Sequence, residues 1–288
     1  MTGLPKRYSS PLDLPFNHSC LNGRFLLQTP DADPGGEGVW LGLQGHRLLV
    51  MSGGEDLCLP AEMPAVGPHD APLYIGTWDG APCRILRLNA EANLLEGLRL
   101  ESLLAQEPSL PIEWLTLGGL ARMVLHWEDT SRRCGGCGQP MQRLRGEWGK
   151  HCRTCNANHF PHIHPCVIVL VRRGRELLLT RKSDWAPNRY SLIAGFLEFG
   201  ESLEEAVRRE IAEETGVTVS NIRYLGSQCW PFPSQVMTGF TADYAGGEVV
   251  VQTSELEDAR WFPIDALPNL PPRRSIARYL LDSVLQLS

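Results

Sequence analysis

The sequence predicts an α+β protein in three parts: an N-terminal α+β domain over 1–128, a cysteine module over 129–160 and a second αβ domain over 161–288. Three observations carry this. Short apolar runs bounded by turn residues fill both ends of the chain, as strands do. Two CxxC pairs interrupt them. One strongly capped acidic helix follows the second set of runs.

Composition narrows the function classes. At 288 residues the chain has room for two domains or one large one, and 43% apolar residues suit a packed core. A net charge of −6 removes any overall electrostatic case for nucleic acid, although small anionic substrates can be met by metals and local arginines. No apolar run approaches the ~18 residues of a membrane span. The opening MTGLPKRYSSPLDLPFNHSC lacks the apolar core of a signal peptide, and the closing LQLS is no peroxisomal signal. A cytoplasmic protein without membrane contact is expected.

In the first domain, VWLGLQGHRLLV (39–50) and LYIGTWDGAPCRILRL (73–88) read as strands, the second a hairpin turning at Asp79-Gly80. TPDADPGGEG and PAEMPAVGPHDAP are Pro/Gly-rich loops. From about 93 to 128 the pattern reads as helical, ending in LARMVLHW. The chain shows no internal repeat and no low-complexity tract.

Nine cysteines are present, and four cluster: Cys134 and Cys137 in CGGC, then Cys152 and Cys155 in CRTC, with 14 residues between the pairs. That spacing matches a zinc ribbon. Vicinal disulfides or a redox pair are the alternatives, and a chain with no export signal disfavours disulfides. Four thiolates would fill a tetrahedral shell and leave no position for water, so the Zn²⁺ would be structural. The module is locally basic through Arg132, Arg133, Arg143, Arg145, Lys150 and Arg153. This is either a solvated ribbon surface or a contact for phosphates.

The last domain opens with CVIVLVRRGRELLLTRKS, two strands joined near Gly174. NIRYLGSQ, VMTGFTADY and EDARWFPI follow as strand candidates, and RSIARYLLDSVLQL as a C-terminal helix apolar on more than one side. Between them lies GFLEFGESLEEAVRREIAEETGV (195–217). Ser202 with Glu205 forms a capping box, and Gly216 fits a helix stop. At ~100° per residue, Leu203, Ala206, Val207 and Ile211 make an apolar stripe. Glu210 and Glu214 fall inside it, and Glu213 at its edge. A buried unpaired carboxylate costs about several kcal/mol. Arg209 is expected to reach Glu213 but to lie well away from Glu210. Bound cations would compensate better, since carboxylates one turn apart can bridge Mg²⁺ or Mn²⁺. A charged helix of imperfect amphipathicity is the bland alternative.

The fixed positions Gly195, Glu201, Arg209, Glu210, Ile211, Glu213, Glu214, Gly216 and Val217 make G-x5-E-x7-R-E-U-x-E-E-x-G-U, with U aliphatic. This is the Nudix box, without departure. A second stretch, SQCWPFPSQ from Ser227 to Gln235, resembles SQPWPFPxS, the mark of NADH pyrophosphatases within the Nudix superfamily. That family also contains enzymes that remove NAD caps from RNA, and its members carry a four-cysteine ribbon before the Nudix domain. The resemblance covers about 129–288 well and the first domain only in layout. Cys229 stands where the motif has Pro, and Ser234-Gln235 where it has x-Ser.

The resemblance implies a mixed β-sheet between helices, and metal-dependent hydrolysis of the diphosphate of NAD(H) or of NAD-capped RNA by a homodimer whose partner chain helps build the pocket. It implies Mg²⁺ or Mn²⁺ held by the Ala194 carbonyl, Glu210, Glu214 and Glu255. It gives Arg209 the task of orienting the box by pairing with an acid such as Glu201, and Glu213 that of positioning water or a second metal. Among substrate contacts it implies Phe196, Phe160, Glu147, Arg99 and Ala277. The loop residues Gln228, Cys229, Trp230, Pro231, Phe232, Pro233, Ser234 and Gln235 either shape a nicotinamide or adenine pocket or simply cap the core. Prolines 231 and 233 stiffen the loop in both cases. A broad nucleoside-diphosphate hydrolase of the ADP-ribose type stays open as a rival. So does an idle Nudix module whose ribbon binds RNA, against which the intact box argues.

Overall fold

Apolar alternation builds the first half of the molecule. The computed structural model describes residues 4–53, 56–61, 71–89 and 97–285. The chain packs as two units. The first is the described part of His18–Ile163 with Pro231–Ser234, and the second is Leu4–Asn17, His164–Trp230 and the described part of Gln235–Ser288.

In the first unit, seven strands form one sheet: β1 (Phe25–Leu27), β2 (Val39–Gln44), β3 (Arg47–Gly53), β4 (Asp56–Cys58), β5 (Leu73–Trp78), β6 (Ala81–Arg87) and β7 (Leu98–Ser102). Their order is β1-β5-β6-β2-β3-β4, with β7 also on β3. Asp79 and Gly80 both take positive φ, so the expected hairpin closes by a turn that only such residues adopt readily. Helix α1 (Ile112–Thr130) buries Leu115, Leu117 and Ala121. The helix expected over about 93–128 is shorter. Residues 93–96 lie outside the described residues, and Leu98–Ser102 is strand β7. Leu98 and Leu100 alternate onto Leu49, Leu86 and Leu88, so burial on a sheet overrides the helical pattern there. Of the loops, TPDADPGGEG contains one short helical turn, Pro30–Ala32, and residues 62–70 of the second lie outside the described residues. The same unit holds three short strands, β8 (Gln142–Arg143), β9 (Lys150–Cys152) and β10 (Ala157–His159), in the order β10-β9-β8.

The second unit contains β11 (His164–Arg173), β12 (Glu176–Arg181), β13 (Ile193–Phe196), α2 (Leu203–Thr215), β14 (Thr218–Trp230), β15 (Gln235–Gly246), β16 (Asp258–Pro263) and α3 (Ile276–Leu285). The sheet runs β14-β15-β11-β12-β16, with β13 on β11. β11 and β15 are parallel and the other pairs antiparallel, so the sheet is mixed. Strand alternation divides the core. Val167, Val169 and Val171 face Ala206, Val207 and Ile211 of α2. Ile168 and Leu170 face Ile276, Leu280, Leu281 and Val284 of α3, together with Leu14. The C-terminal helix therefore packs into the core, the choice that its sequence left open.

Candidate functional site

Local sequence fixes the acidic helix. The Ser202 hydroxyl accepts the Glu205 N–H while the Glu205 carboxylate accepts the Ser202 N–H, and Gly216 ends the helix at φ 70°. The apolar stripe is buried, and with it Glu214, only 4% exposed. Among the described residues Glu214 has no ion-pair partner. Burial and the neighbouring Glu210 push its carboxyl up to about 7. Burial also raises Glu210. Glu210 lies on the β13 backbone at Gly195, where a Cβ would fall 1.8 Å from its Oε1. A side chain at 195 would push the Glu210 carboxylate out of this position.

Arg209 organises the outer acids. It pairs with Glu201 at 2.5 Å, with Glu210 at 3.0 Å and with Glu213 at 3.1 Å, and its Nη2 donates to the Phe196 carbonyl at 2.8 Å. The separation expected between Arg209 and Glu210 is thus corrected. Adjacent helix residues diverge, but a long guanidinium reaches back round the helix to its neighbour's carboxylate. The Arg209 pairing holds the Glu201 carboxyl at about 2, well below its ordinary 4.5. One guanidinium serves three carboxylates, and Glu214 is left out.

Glu255 sits in the turn before β16, and its charge raises both Glu210 and Glu214. The same turn is tied to α2, since Gln252 N–H donates to the Glu214 carbonyl at 3.0 Å. Ala194, on β13, precedes the glycine under Glu210. Lys182 acts on Glu214 in the opposite sense, lowering it. Sequence reading missed this lysine, whose one signal is its place at the end of β12. Several hard oxygen donors with too little positive charge among them fit a divalent cation.

In the ribbon, the four thiol sulfurs of Cys134, Cys137, Cys152 and Cys155 lie within 4.8 Å of one another. A tetrahedral zinc with ~2.3 Å bonds spaces its sulfurs ~3.8 Å apart, so the cradle fits that ion. The N–H groups of Gly136 and Cys137 draw the Cys134 thiol down to about 7, toward the thiolate that zinc needs. The Cys155 N–H donates to the Cys152 sulfur at 3.4 Å.

The chain matches three domain families in series: an NADH pyrophosphatase-like rudimentary NUDIX domain over 37–127, the NADH pyrophosphatase zinc ribbon domain over 129–160 and the NUDIX domain over 162–284. It is 45% identical to the NAD-capped RNA hydrolase NudC of Stutzerimonas stutzeri over 73% of this chain and 76% of that one. The chain belongs to the NudC family of Nudix proteins. It is also 46% identical to the NudC of Pseudomonas putida strain W619, over 72% of this chain and 75% of that one. Against the NudC of Pseudomonas fluorescens the identity is 43%, over 77% and 78%. The zinc of this Nudix protein is structural, and membership of the Nudix family implies a divalent metal besides.

The remaining expected site residues of this Nudix chain fall in several places. Phe196, at the end of β13, is about half exposed and stands edge-on to His164. Phe160 is also half exposed, resting on Gly149, and Glu147 is exposed nearby in the ribbon. Arg99, on β7, pairs with Glu101 at 2.9 Å. Trp230 meets Phe16 edge-on at 5.7 Å, and Arg122 lies over the Phe232 ring at 5.3 Å. Pro231, Pro233 and buried Ser234 complete the tip, and Gln235 pairs back to Trp230. Cys229 is part-buried, and burial pushes its thiol up to about 11.

Two of the expected contacts are buried. Ala277 lies in the core beneath α3, because it falls on that helix's buried face. Gln228 is 0% exposed. Its Nε2 donates to the Pro15 and Arg274 carbonyls at 2.8 and 2.7 Å, and its Oε1 accepts the Ile276 N–H at 2.7 Å. It braces strand to helix.

Proposed function

We propose that this chain hydrolyses the diphosphate of NAD(H), and of NAD caps on RNA, using Mg²⁺ or Mn²⁺. The observation that carries the reading is Glu214, a buried carboxylate beside Glu210 and within the field of Glu255, with no ion-pair partner among the described residues. Substrate choice rests on two supports, the SQCWPFPSQ stretch and the named activity of the relatives.

Glu210, Glu214, Glu255 and the Ala194 carbonyl would hold the cation. When bound, it offsets the diphosphate's negative charge and acidifies the attacking water. Glu213, an exposed acid of the helix, orients that water and takes its proton. The water oxygen bonds to one phosphorus as the bridging P–O bond breaks, and the departing phosphate leaves as the second product. Arg209 keeps Glu201, Glu210 and Glu213 at fixed spacing throughout. Phe196 and Trp230 offer aromatic faces to the substrate's bases, contacts worth ~1–3 kcal/mol each in nucleic-acid binding. Phe160, Glu147 and Arg99 add substrate contacts. The protein works as a cytoplasmic homodimer.

The test is incubation of the pure protein with NADH and Mg²⁺ or Mn²⁺. Reduced nicotinamide mononucleotide and AMP are expected, and from NAD-capped RNA nicotinamide mononucleotide and a 5′-monophosphate end. Cleavage of ADP-ribose with NADH left intact would favour a broad nucleoside-diphosphate hydrolase.

A further inference from the structure

Among the described residues, strand β14 is the outer strand of its sheet, paired with β15 alone. Backbone groups on its other side need partners, and a bare edge invites pairing with other chains. Near the SQCWPFPSQ loop the partner is a side chain. Asn17 Nδ2 donates to the Ser227 carbonyl at 3.2 Å, and Asn17 Oδ1 accepts the Cys229 N–H at 2.8 Å. A carbonyl and the N–H two residues on leave a strand in the same direction. A single amide group thus stands in for the peptide group of a missing neighbour strand. Its own rotamer is fixed, because Nδ2 also donates to the Pro11 carbonyl at 2.8 Å.

The rest of the segment Leu4–Asn17 supports this contact. Leu14 is fully buried in the core under α3. Pro11 lies on Gly226, where a Cβ would fall 2.5 Å from the proline ring. The Pro15 carbonyl receives Gln228. Phe16, held at φ 75°, presents its ring edge-on to Trp230. The contacts of Pro11, Pro15 and Phe16 all fall on residues 226–230, the foot of the loop.

We propose that Asn17 is a positioning residue for substrate selection, setting the angle at which Trp230 and the loop leave β14. This deepens the reading above, because it takes the loop to shape the pocket that separates NADH from ADP-ribose. It also accounts for a departure in this chain. A proline at 229 would fix φ covalently but has no N–H to donate. Cysteine keeps the N–H, and Asn17 holds it. Ring and hydrogen bond are two ways of stiffening one strand end.

The test is steady-state kinetics of the metal-loaded full chain on NADH and ADP-ribose. For Asn17→Ala, KM for NADH should rise about tenfold with kcat held within about threefold, and kcat/KM for ADP-ribose should move less than about threefold. In a Cys229→Pro background, where Asn17 has no N–H to accept, the same change should move KM for NADH by less than about twofold. Asn17→Ser replaces Asn17→Ala if the alanine variant does not fold. An unchanged KM in the folded variant overturns the proposal. So does an equal loss in both backgrounds or for both substrates, the result of a purely structural asparagine. If the wild type itself shows no preference for NADH over ADP-ribose, the reading of the loop is what fails.

Discussion

The inner face of α2 and the foot of β14 both bury polar side chains, with opposite outcomes. Gln228, at the foot of β14, makes three hydrogen bonds at 2.7–2.8 Å and is closed to solvent. Glu214, on α2, is nearly as buried yet has no cationic partner among the described residues, and its carboxyl is pushed up to about 7. A buried amide with its bonds made is part of the scaffold. A carboxylate buried beside other acids, with no ion-pair partner among the described residues, fits a site for a cation that the chain does not itself supply.

The strongest way to break that contrast is Glu214→Gln. Turnover of NADH should fall at least ~100-fold, or ~3 kcal/mol of transition-state stabilisation. The same variant should melt higher than the wild type in buffer free of divalent cations but with zinc retained, because an uncompensated buried acid is gone. Calorimetry beside the kinetics reads both. Gln228→Leu should do the reverse. It strands the Pro15 and Arg274 carbonyls and the Ile276 N–H, so a loss of about 3 kcal/mol in urea unfolding is expected.

Smaller effects appear with pH. The Glu214 carboxyl ionises near 7 in the folded chain and near 4.5 when unfolded, so the folded state retains the proton longer. Stability without divalent cations should therefore decline as pH rises from 4.5 toward 7, and Glu214→Gln should flatten that slope. Glu201 acts in the other direction. Held at about 2 by Arg209, it contributes stability above 4.5 that is lost as pH falls toward 2. Acid titration of Glu201→Gln followed by circular dichroism should show a shallower transition.

Much of this site was legible beforehand because it depends on local spacing. The capping box, the αL glycine and the inward pair Glu210 and Glu214 follow from helix periodicity, and the ribbon from two CxxC pairs. What escaped depends on distance along the chain or on side-chain length. Arg209 reaching Glu210 is a matter of rotamer. Gln228 was drawn into the loop's function by adjacency, whereas its amide bonds residues 213 positions before and 46 after it. Strand β7 read as helix because its leucines gain their meaning only against Leu49 and Leu86 on other strands. Asn17 gave no signal in its own neighbourhood, since its partners are 210 and 212 residues on.

Mn²⁺ binding measured by calorimetry at neutral pH, on wild type and Glu214→Gln with zinc in place, tests the central claim most directly. The account predicts a wild-type site and at least ~10-fold weaker binding in the variant, the effect of ~1.4 kcal/mol. Equal affinity in the two proteins would contradict it.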